Sequence, residues 1–132
     1  MKNICIGLFE GETLPESLAA FKNVKLDLEF GKVTTIYTLH QLDCEKVVVV
    51  GLGDGKKNIK EAFSKVEADD YLVYVTENTA YAAGFGLVYG AYSYKETKVY
   101  DLESDGFKDE FEKGKTVARI VNHAREMSDM PA

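Results

Sequence analysis

The sequence predicts a single α/β domain with a largely parallel central sheet. One observation is the segment Lys46–Gly51, which contains four consecutive valines. A run with no polar face is typical of a strand that helices cover on both sides. The other is the alternation of strand-like and helix-like patterns, which produces parallel strands joined by helical crossovers. With 132 residues, 45% of them hydrophobic, the chain can bury one core without disulfides or a structural metal.

Strand-like runs dominate the first third of the chain. Residues 3–9 read as a first strand, and a short helix is favoured around Glu16–Phe21. Apolar and charged residues alternate over residues 24–30, which predicts a half-buried strand. Gly31 separates this run from a second β-rich run, Val33–Leu39, and the two runs are predicted to form a hairpin.

A helix is predicted after the valine strand. Asn58 is placed to cap it, and Glu61 follows three residues later to reciprocate. Four apolar residues follow at helical spacing and form one stripe: Ile59, Ala62, Phe63 and Val66.

The second half of the chain adds two strands and a second helix. Tyr71–Val75 and Thr97–Leu102 are predicted as strands, and Ala80–Tyr94 between them as a helix that is apolar nearly all round. Small residues recur four apart in this helix, at Ala82, Gly86 and Gly90. Because glycine inside a helix costs about 1 kcal/mol relative to alanine, such a ridge predicts close approach to a sheet or another helix.

A long amphipathic helix is predicted from about Phe107 to Met127, with Pro131 just after it. Its apolar face comprises Phe107, Phe111, Val117, Val121, Ala124 and Ser128. Its polar face comprises Lys108, Glu112, Lys115, Arg119, Asn122 and Glu126.

The net charge of −6 makes nucleic acid and anionic membranes unlikely partners, because a negative field repels phosphate. Cys5 and Cys44 are the two cysteines, a sparse usage that favours a reducing compartment. The N-terminal apolar run is too short for a signal peptide, and no stretch reaches the length of a membrane span. The expected location is the cytoplasm.

The turn Gly51-Leu52-Gly53-Asp54-Gly55 could cradle a phosphate on backbone N–H groups, since it joins a strand to a helix. Its spacing fits neither the dinucleotide fingerprint nor the P-loop. A tight strand-to-helix connection is the favoured interpretation.

One segment, residues 40–44, contains residue types that could bind a metal ion. His40 and Cys44 are four residues apart with Asp43 between them, and on a helix they would share a face. The segment reads as a loop, however, and the second histidine, His123, lies far away on the last helix. A closed structural zinc site needs four ligands, so no metal ligand is assigned.

Other chemistry is equally sparse in the sequence. There is no nucleophile elbow, and Cys5 lies in a presumed core strand, where a thiol is inert. Asp69-Asp70 is interpreted as a solvated pair at a helix end. The aromatic flank Tyr81, Phe85, Tyr89 and Tyr92 could stack a base or sugar, but packing is favoured because no basic residues are interleaved along that segment. No catalytic, cofactor-binding or metal-binding residue is therefore predicted.

Three ordered segments resemble the N-terminal domain of the leucyl aminopeptidase (cytosol aminopeptidase, M17) family. The first is Lys46-Val-Val-Val-Val-Gly-Leu-Gly53, similar to the family's valine-rich strand ending in Gly-Leu-Gly. The second is residues 80–98, with Gly-Ala-Tyr-x-Tyr-Lys after a helix rich in small residues. The third is residues 114–131, similar to the bridging helix that ends in Asn-x-Ala-Arg. The family's Asn-Thr-Pro-Pro reads Asp-Met-Pro-Ala here, over residues 129–132.

The resemblance implies a two-domain enzyme that releases N-terminal residues from peptides with two divalent metals (manganese, zinc or magnesium). Residues 1–106 would form the macro-like N-terminal domain, a three-layer unit with the mostly parallel sheet flanked by helices. Residues 107–132 would form a long helix leading to a catalytic domain, with an apolar stripe left exposed. The family's metal ligands and catalytic residues lie in that second domain, so none is carried over and this chain alone is expected to be inactive. Its expected partners are its own catalytic domain and the other subunits of a homohexamer.

Two other functions remain open. The chain could be a macro-like domain that binds ADP-ribose or a related nucleotide at the Gly51–Gly55 turn. It could also be a free-standing interaction module with no catalytic partner.

Overall fold

The computed structural model confirms the α/β fold class and describes residues 2–92 and 98–128, apart from the side chains of Met127 and Ser128. The strands and helices run in the order β1 Asn3–Leu8, β2 Val33–Tyr37, β3 Lys46–Gly51, α1 Ile59–Phe63, β4 Tyr71–Tyr74, α2 Ala80–Gly90, β5 Tyr100–Leu102 and α3 Lys108–Ser128. Two 3₁₀ helices, Glu16–Phe21 and Asp105–Phe107, precede β2 and α3 respectively. In this part of the chain no helix is long and apolar enough to cross a membrane.

The strands form one sheet in the order β2-β3-β1-β4-β5. Strands β3, β1, β4 and β5 are parallel to one another, and β2 is antiparallel to β3. All four valines of Val47–Val50 are buried, as expected for a strand covered on both faces.

The two faces of the sheet are covered by different elements. On one face Val48 and Val50 pack into a core cluster with Phe63 of α1 and Leu87 of α2. On the other face Val47 and Val49 belong to a second cluster, which also contains Ile4 and Ile6 of β1 and Leu18 and Phe21 of the first 3₁₀ helix. Helices therefore cover one face, and a 3₁₀ helix with extended chain covers the other.

The predicted strand over residues 24–30 is wrong, and so is its hairpin with Val33–Leu39. Residues 24–30 contain no strand, and β2 pairs with β3 instead. The alternation is nevertheless real, because Leu26 and Leu28 pack against the second core cluster while the charged residues between them are exposed. An extended segment lying on a core has the same period of two as a paired strand, so the pattern alone cannot separate them.

The predicted N-cap of α1 is confirmed at Asn58, whereas Glu61 contacts it through its backbone N–H, which donates to the Asn58 carbonyl, and α1 lies tightly against α2. The side chain of Asn58 accepts a hydrogen bond from the Lys60 N–H. A Cβ atom at Gly86 would lie 2.5 Å from the Lys60 carbonyl oxygen, and one at Gly90 would lie 2.3 Å from that of Ser64. The glycine ridge predicted in α2 thus contacts α1 directly.

A second pair of glycines brings α2 and α3 together. A Cβ atom at Gly84 would lie 2.2 Å from the Phe111 carbonyl oxygen, and one at Gly114 would lie 2.2 Å from that of Tyr81. The contact is reciprocal, since each helix presents a glycine to the backbone of the other. Neither position can take a side chain without moving the helices apart.

The face of α3 that packs on α2 differs from the predicted one. Phe111 is fully buried, but Val117 and Val121 are half-buried, Ala124 is exposed, and the side chain of Ser128 is not described. Three residues that were not expected on this face are buried here: Gly114, Lys115 and Ala118. Asn122 also faces α2, where its Nδ2 donates to the Val88 carbonyl at 3.0 Å. The contact is rotated because the small residues of α3, rather than its large apolar ones, permit the close approach.

The ends of several elements differ from their predicted positions. Helix α2 ends at Gly90 rather than Tyr94, and β5 begins at Tyr100 rather than Thr97. Tyr94 and Thr97 themselves lie outside the described residues. Helix α1 ends at Phe63, so Val66 lies in the turn that follows it, although its side chain is buried as predicted.

We predict that Gly114→Ala lowers the free energy of unfolding by about 1 to 3 kcal/mol, because overpacking against the Tyr81 carbonyl exceeds the helix-propensity gain of about 1 kcal/mol. Gly106→Ala is the matched control, since a Cβ atom there meets nothing within 4 Å. Urea denaturation of both variants measures the difference. Equal stability of the two variants would contradict the close approach of α2 and α3.

Candidate functional site

The carboxyl ends of β1 and β3 bring two connecting segments to one edge of the sheet. The connection that leaves β1 passes over the face covered by the 3₁₀ helix, whereas the one that leaves β3 passes through α1 on the opposite face. Adjacent strands whose connections diverge in this way leave a crevice, where α/β sheets bind ligands. The Gly51–Gly55 turn lies at this position and is the first candidate site.

Four backbone N–H groups around this turn already donate hydrogen bonds inside the protein. They are Gly51 N to Lys32 O (2.7 Å), Leu52 N to Leu8 O (2.9 Å), Gly53 N to Leu28 O (3.0 Å) and Lys56 N to Asp54 Oδ1 (3.0 Å). An N–H that donates to a protein oxygen cannot also hold a phosphate, and the helix that follows has only five residues. The turn is built as a tight connection, the interpretation that the sequence favoured.

The glycines of the turn are needed for contact with the extended segment before β2. A Cβ atom at Gly51 would lie 2.3 Å from the Glu29 carbonyl oxygen. Gly53 and Gly55 have φ angles of +67° and +85°, in the left-handed region that favours glycine. The turn therefore contacts another segment of the same chain at the position where the sequence suggested a phosphate site.

The possible metal ligands His40 and Cys44 are not brought together. The segment is a loop, as expected, closed by the Thr38 hydroxyl, which donates to the Cys44 carbonyl at 2.6 Å. His40 is exposed with φ +71°, whereas Cys44 is buried in the second core cluster. His123 is exposed on α3. Among residues 2–92 and 98–128, no group of three or more histidine, cysteine or acidic side chains is placed to hold a metal ion.

Asp69 and Asp70 are structural, so their interpretation as a solvated pair at a helix end is wrong. They precede β4 at the amino edge of the sheet, where Asp69 accepts a hydrogen bond from Asn3 Nδ2 at 3.0 Å. Asp70 accepts one from the Val99 N–H at 2.8 Å, just before β5. Asn3 in turn accepts from the N–H of Lys46 at the start of β3. These side chains link the first residues of four parallel strands.

The aromatic residues of α2 form a stacked ladder on its outer face. The rings of Tyr81 and Phe85 lie 6.4 Å apart, and those of Phe85 and Tyr89 lie 5.6 Å apart, with interplanar angles below 20°. All three side chains are half-buried. Packing along the helix therefore accounts for these rings, as the sequence favoured.

Basic residues do reach this ladder, although none is interleaved in the sequence of α2. The Lys60 ammonium lies 4.8 Å from the centre of the Phe85 ring. The Arg125 guanidinium lies 4.2 Å from the ring centres of both Tyr89 and Tyr92. The two cations come from α1 and α3, so a search along one helix could not find them. The glycine ridge of α2 was the one signal in the sequence that pointed to another helix, and hence its basic residues, lying close to these rings.

The most strongly shifted titratable groups lie in the core and carry no chemistry. Burial raises the pKa of the Cys5 thiol to about 12 and that of the Tyr100 hydroxyl to about 12. Burial likewise raises the pKa of Tyr71, whose ring stacks on that of Tyr100 at 6.5 Å. Burial is also the main cause that raises the pKa of Cys44. Since the reactive form of cysteine is the thiolate, both thiols are inert in the folded protein.

The chain is similar in fold to a solved enzyme structure. No protein-family model and no curated protein matches this sequence. The chain is similar to a solved structure of the bottromycin maturation enzyme BotP in complex with manganese, with a TM-score of 0.67 and 16% sequence identity. The likeness covers 98% of this chain and 32% of that one, so the chain spans about a third of the length of BotP. At this identity the likeness shows the fold alone.

We predict that the free energy of unfolding falls as the pH rises from about 10 to 12. The pKa of Tyr100 is about 12 in the folded chain, against the ordinary tyrosine value of 10.0. The unfolded state therefore loses this proton first, and the contribution of Tyr100 to stability, present below pH 10, is lost at up to about 1.4 kcal/mol per pH unit, in addition to the losses from Cys5 and Tyr71, whose pKa values burial also raises. Tyr100→Phe should flatten this slope in urea denaturation at several pH values. The exposed Tyr37→Phe is the control, and an equal slope in wild type and Tyr100→Phe would refute the prediction.

Proposed function

We propose that this chain is a non-catalytic domain of a metal-dependent leucyl aminopeptidase, with a role in the assembly or regulation of the parent enzyme. The parent would cleave N-terminal residues from peptides with two divalent metals (manganese, zinc or magnesium) bound in its catalytic domain. The partners of this chain would be that catalytic domain and the other subunits of a homohexamer.

The likeness to BotP carries this proposal. Nearly the whole chain matches a unit that makes up about a third of a maturation enzyme complexed with manganese. A unit of this fold thus occurs as the smaller part of a metal-containing enzyme, which is the arrangement that the sequence resemblance implies.

The positions of the three resembling segments also support the proposal. Their described residues fall mainly on β3 and its glycine turn, on α2, and on α3 from Gly114 onward. Val48 and Val50 of β3 pack in one core cluster with Ala83 and Leu87 of α2. Helix α2 in turn contacts α3 through Gly84 and Gly114. The first two segments and Gly114 of the third therefore contribute to the interior, where sequence is most constrained by packing, whereas residues 122–126 of the third segment are half-buried or exposed.

A cytoplasmic location is part of the same proposal. Cys5 and Cys44 are both free, which agrees with the reducing compartment that the sparse cysteine usage favours.

The proposal predicts that the 132-residue chain does not hydrolyse leucine p-nitroanilide with added manganese. The product of the coding sequence extended beyond Ala132 should hydrolyse it, and chelation of the metal should abolish that activity. Metal-dependent hydrolysis by the short chain would overturn the proposal. So would an extended sequence without a cluster of aspartate, glutamate and lysine able to form a two-metal site.

One observation favours a second function, the binding of ADP-ribose or a related nucleotide. The Gly51–Gly55 turn occupies the crevice at the carboxyl edge between β1 and β3, where α/β sheets bind ligands. Against it, the N–H groups of Gly51, Leu52 and Gly53 in that turn, and that of Lys56 just after it, already donate hydrogen bonds within the protein. Because the proposed function needs no nucleotide, we expect calorimetry with ADP-ribose at millimolar concentration to give no binding heat. A saturable heat that Gly53→Ala removes would instead establish the second function.

A further inference from the structure

Strand β2 presents one complete row of backbone hydrogen-bonding groups to the outside. Thr38 N donates to Glu45 O, and Lys32 O accepts from Gly51 N, so even-numbered residues direct their backbone groups toward β3. In an antiparallel ladder these directions alternate. The N–H and C=O groups of Val33, Thr35 and Tyr37 therefore point to the outer edge, and β2 is the edge strand of the sheet.

This edge lacks the features that usually prevent strands from pairing. Natural edge strands carry charges, proline or bulges, or are very short. Strand β2 reads Val-Thr-Thr-Ile-Tyr, with no charge and no proline. The opposite edge, β5, has only three residues, and one of them is Asp101, paired with Lys2 at 3.0 Å. Strand β2 is therefore less protected than β5 against pairing with another strand.

Large apolar side chains in β2 and just beyond it are also exposed. Val33 is 36% exposed, Tyr37 is 62% exposed, and Leu39 just beyond the strand is 79% exposed. Val33, Thr35 and Tyr37 project from one face, opposite to the buried Ile36. A second strand beside β2 would place its own side chains against this row from the open side.

We propose that β2 pairs antiparallel with β2 of a second copy of this chain, about a two-fold axis through Thr35, to form a continuous ten-stranded sheet. An axis at Thr35 places Val33 opposite Tyr37 of the partner and Thr35 opposite its own copy. Val33, Thr35 and Tyr37 are the residues whose backbone groups point outward. In this register each of their N–H groups lies opposite a carbonyl of the partner strand. The proposal rests on the geometry of β2 and does not depend on the proposed aminopeptidase role.

The side chains favour this register as well. It brings each Tyr37 beside a Val33 and the two Thr35 side chains together, and aromatic–β-branched and Thr–Thr pairs stabilise adjacent strands. Lys32 lies opposite Thr38, so no like charges oppose each other. The paired surface is short, well below the roughly 1,200 to 2,000 Å² of stable complexes, so the dimer is expected to be weak.

Cysteine cross-linking tests the register. In a hydrogen-bonded antiparallel pair the Cα atoms lie about 5.5 Å apart, within disulfide range. Thr35→Cys should therefore form a disulfide-linked dimer under mild oxidation. Val33→Cys should not link to itself, because the two copies would be roughly 14 Å apart, but should link to Tyr37→Cys in a mixture. The wild-type chain is the background control, since Cys5 and Cys44 are buried. Equal self-linking of Thr35→Cys and Val33→Cys, or none by Thr35→Cys, would overturn the proposal.

Sedimentation velocity tests the association without cross-linking. The wild-type chain should show a concentration-dependent dimer at up to about 1 mM protein. Thr35→Lys should raise the dimer dissociation constant by about tenfold or more, because it places like charges directly opposite each other. Thr116→Lys, the same substitution at an exposed position of α3, should leave it unchanged. Circular dichroism verifies that both variants fold. A wild-type chain that stays monomeric, or a Thr35→Lys chain that dimerises as well as wild type, would refute the inference.

Discussion

The backbone of α2 lies in direct contact with the helices on both of its sides, and the helical layer depends on that proximity. Gly86 and Gly90 leave room for the carbonyls of α1, and Gly84 leaves room for the backbone of α3. Each glycine costs about 1 kcal/mol in helix propensity. That cost is offset by the packing of Ala83 and Leu87 against the sheet, which a wider helix spacing would loosen.

This crowding also explains the aromatic ladder. The sheet, α1 and α3 occupy three sides of α2, and the aromatic side chains of the helix lie on the fourth. Tyr81, Phe85 and Tyr89 are placed there, one turn apart, where they stack on one another. Lys60 and Arg125 lie over these rings because α1 and α3 are held so close. Exposed cation–aromatic contacts are worth about 0.5 to 1 kcal/mol each, so the ladder and its cations reinforce the packing that positions them.

The sequence predicted those parts of the fold in which a single pattern dominates. The valines of β3 have no polar face, and Asn58 stands one residue before a helical stripe, so both were located correctly. Residues 24–30 were misassigned because their alternation reflects burial on the core and not strand pairing. The segment lies against Gly51, where the absence of a side chain leaves room for the backbone of residues 27–29. The face of α3 was misplaced because large apolar residues were weighted over Gly114 and Ala118. At the candidate site the turn was located, but the partners of its Gly51, Leu52 and Gly53 N–H groups lie 19 to 44 residues earlier in the chain and could not be predicted from local spacing.

The two ends of the sheet are closed by different means, and the difference bears on where function can reside. At the amino edge, side chains of Asn3, Asp69 and Asp70 link the strands to one another. At the carboxyl edge, Gly51 and Gly53 hydrogen-bond to the extended segment before β2, so backbone fills the crevice in which such folds often bind ligands. Polar groups at both ends are thus committed to holding the fold. The described part of the chain also offers surfaces to other molecules on its sides, at the outer face of α2 and along the open edge of β2.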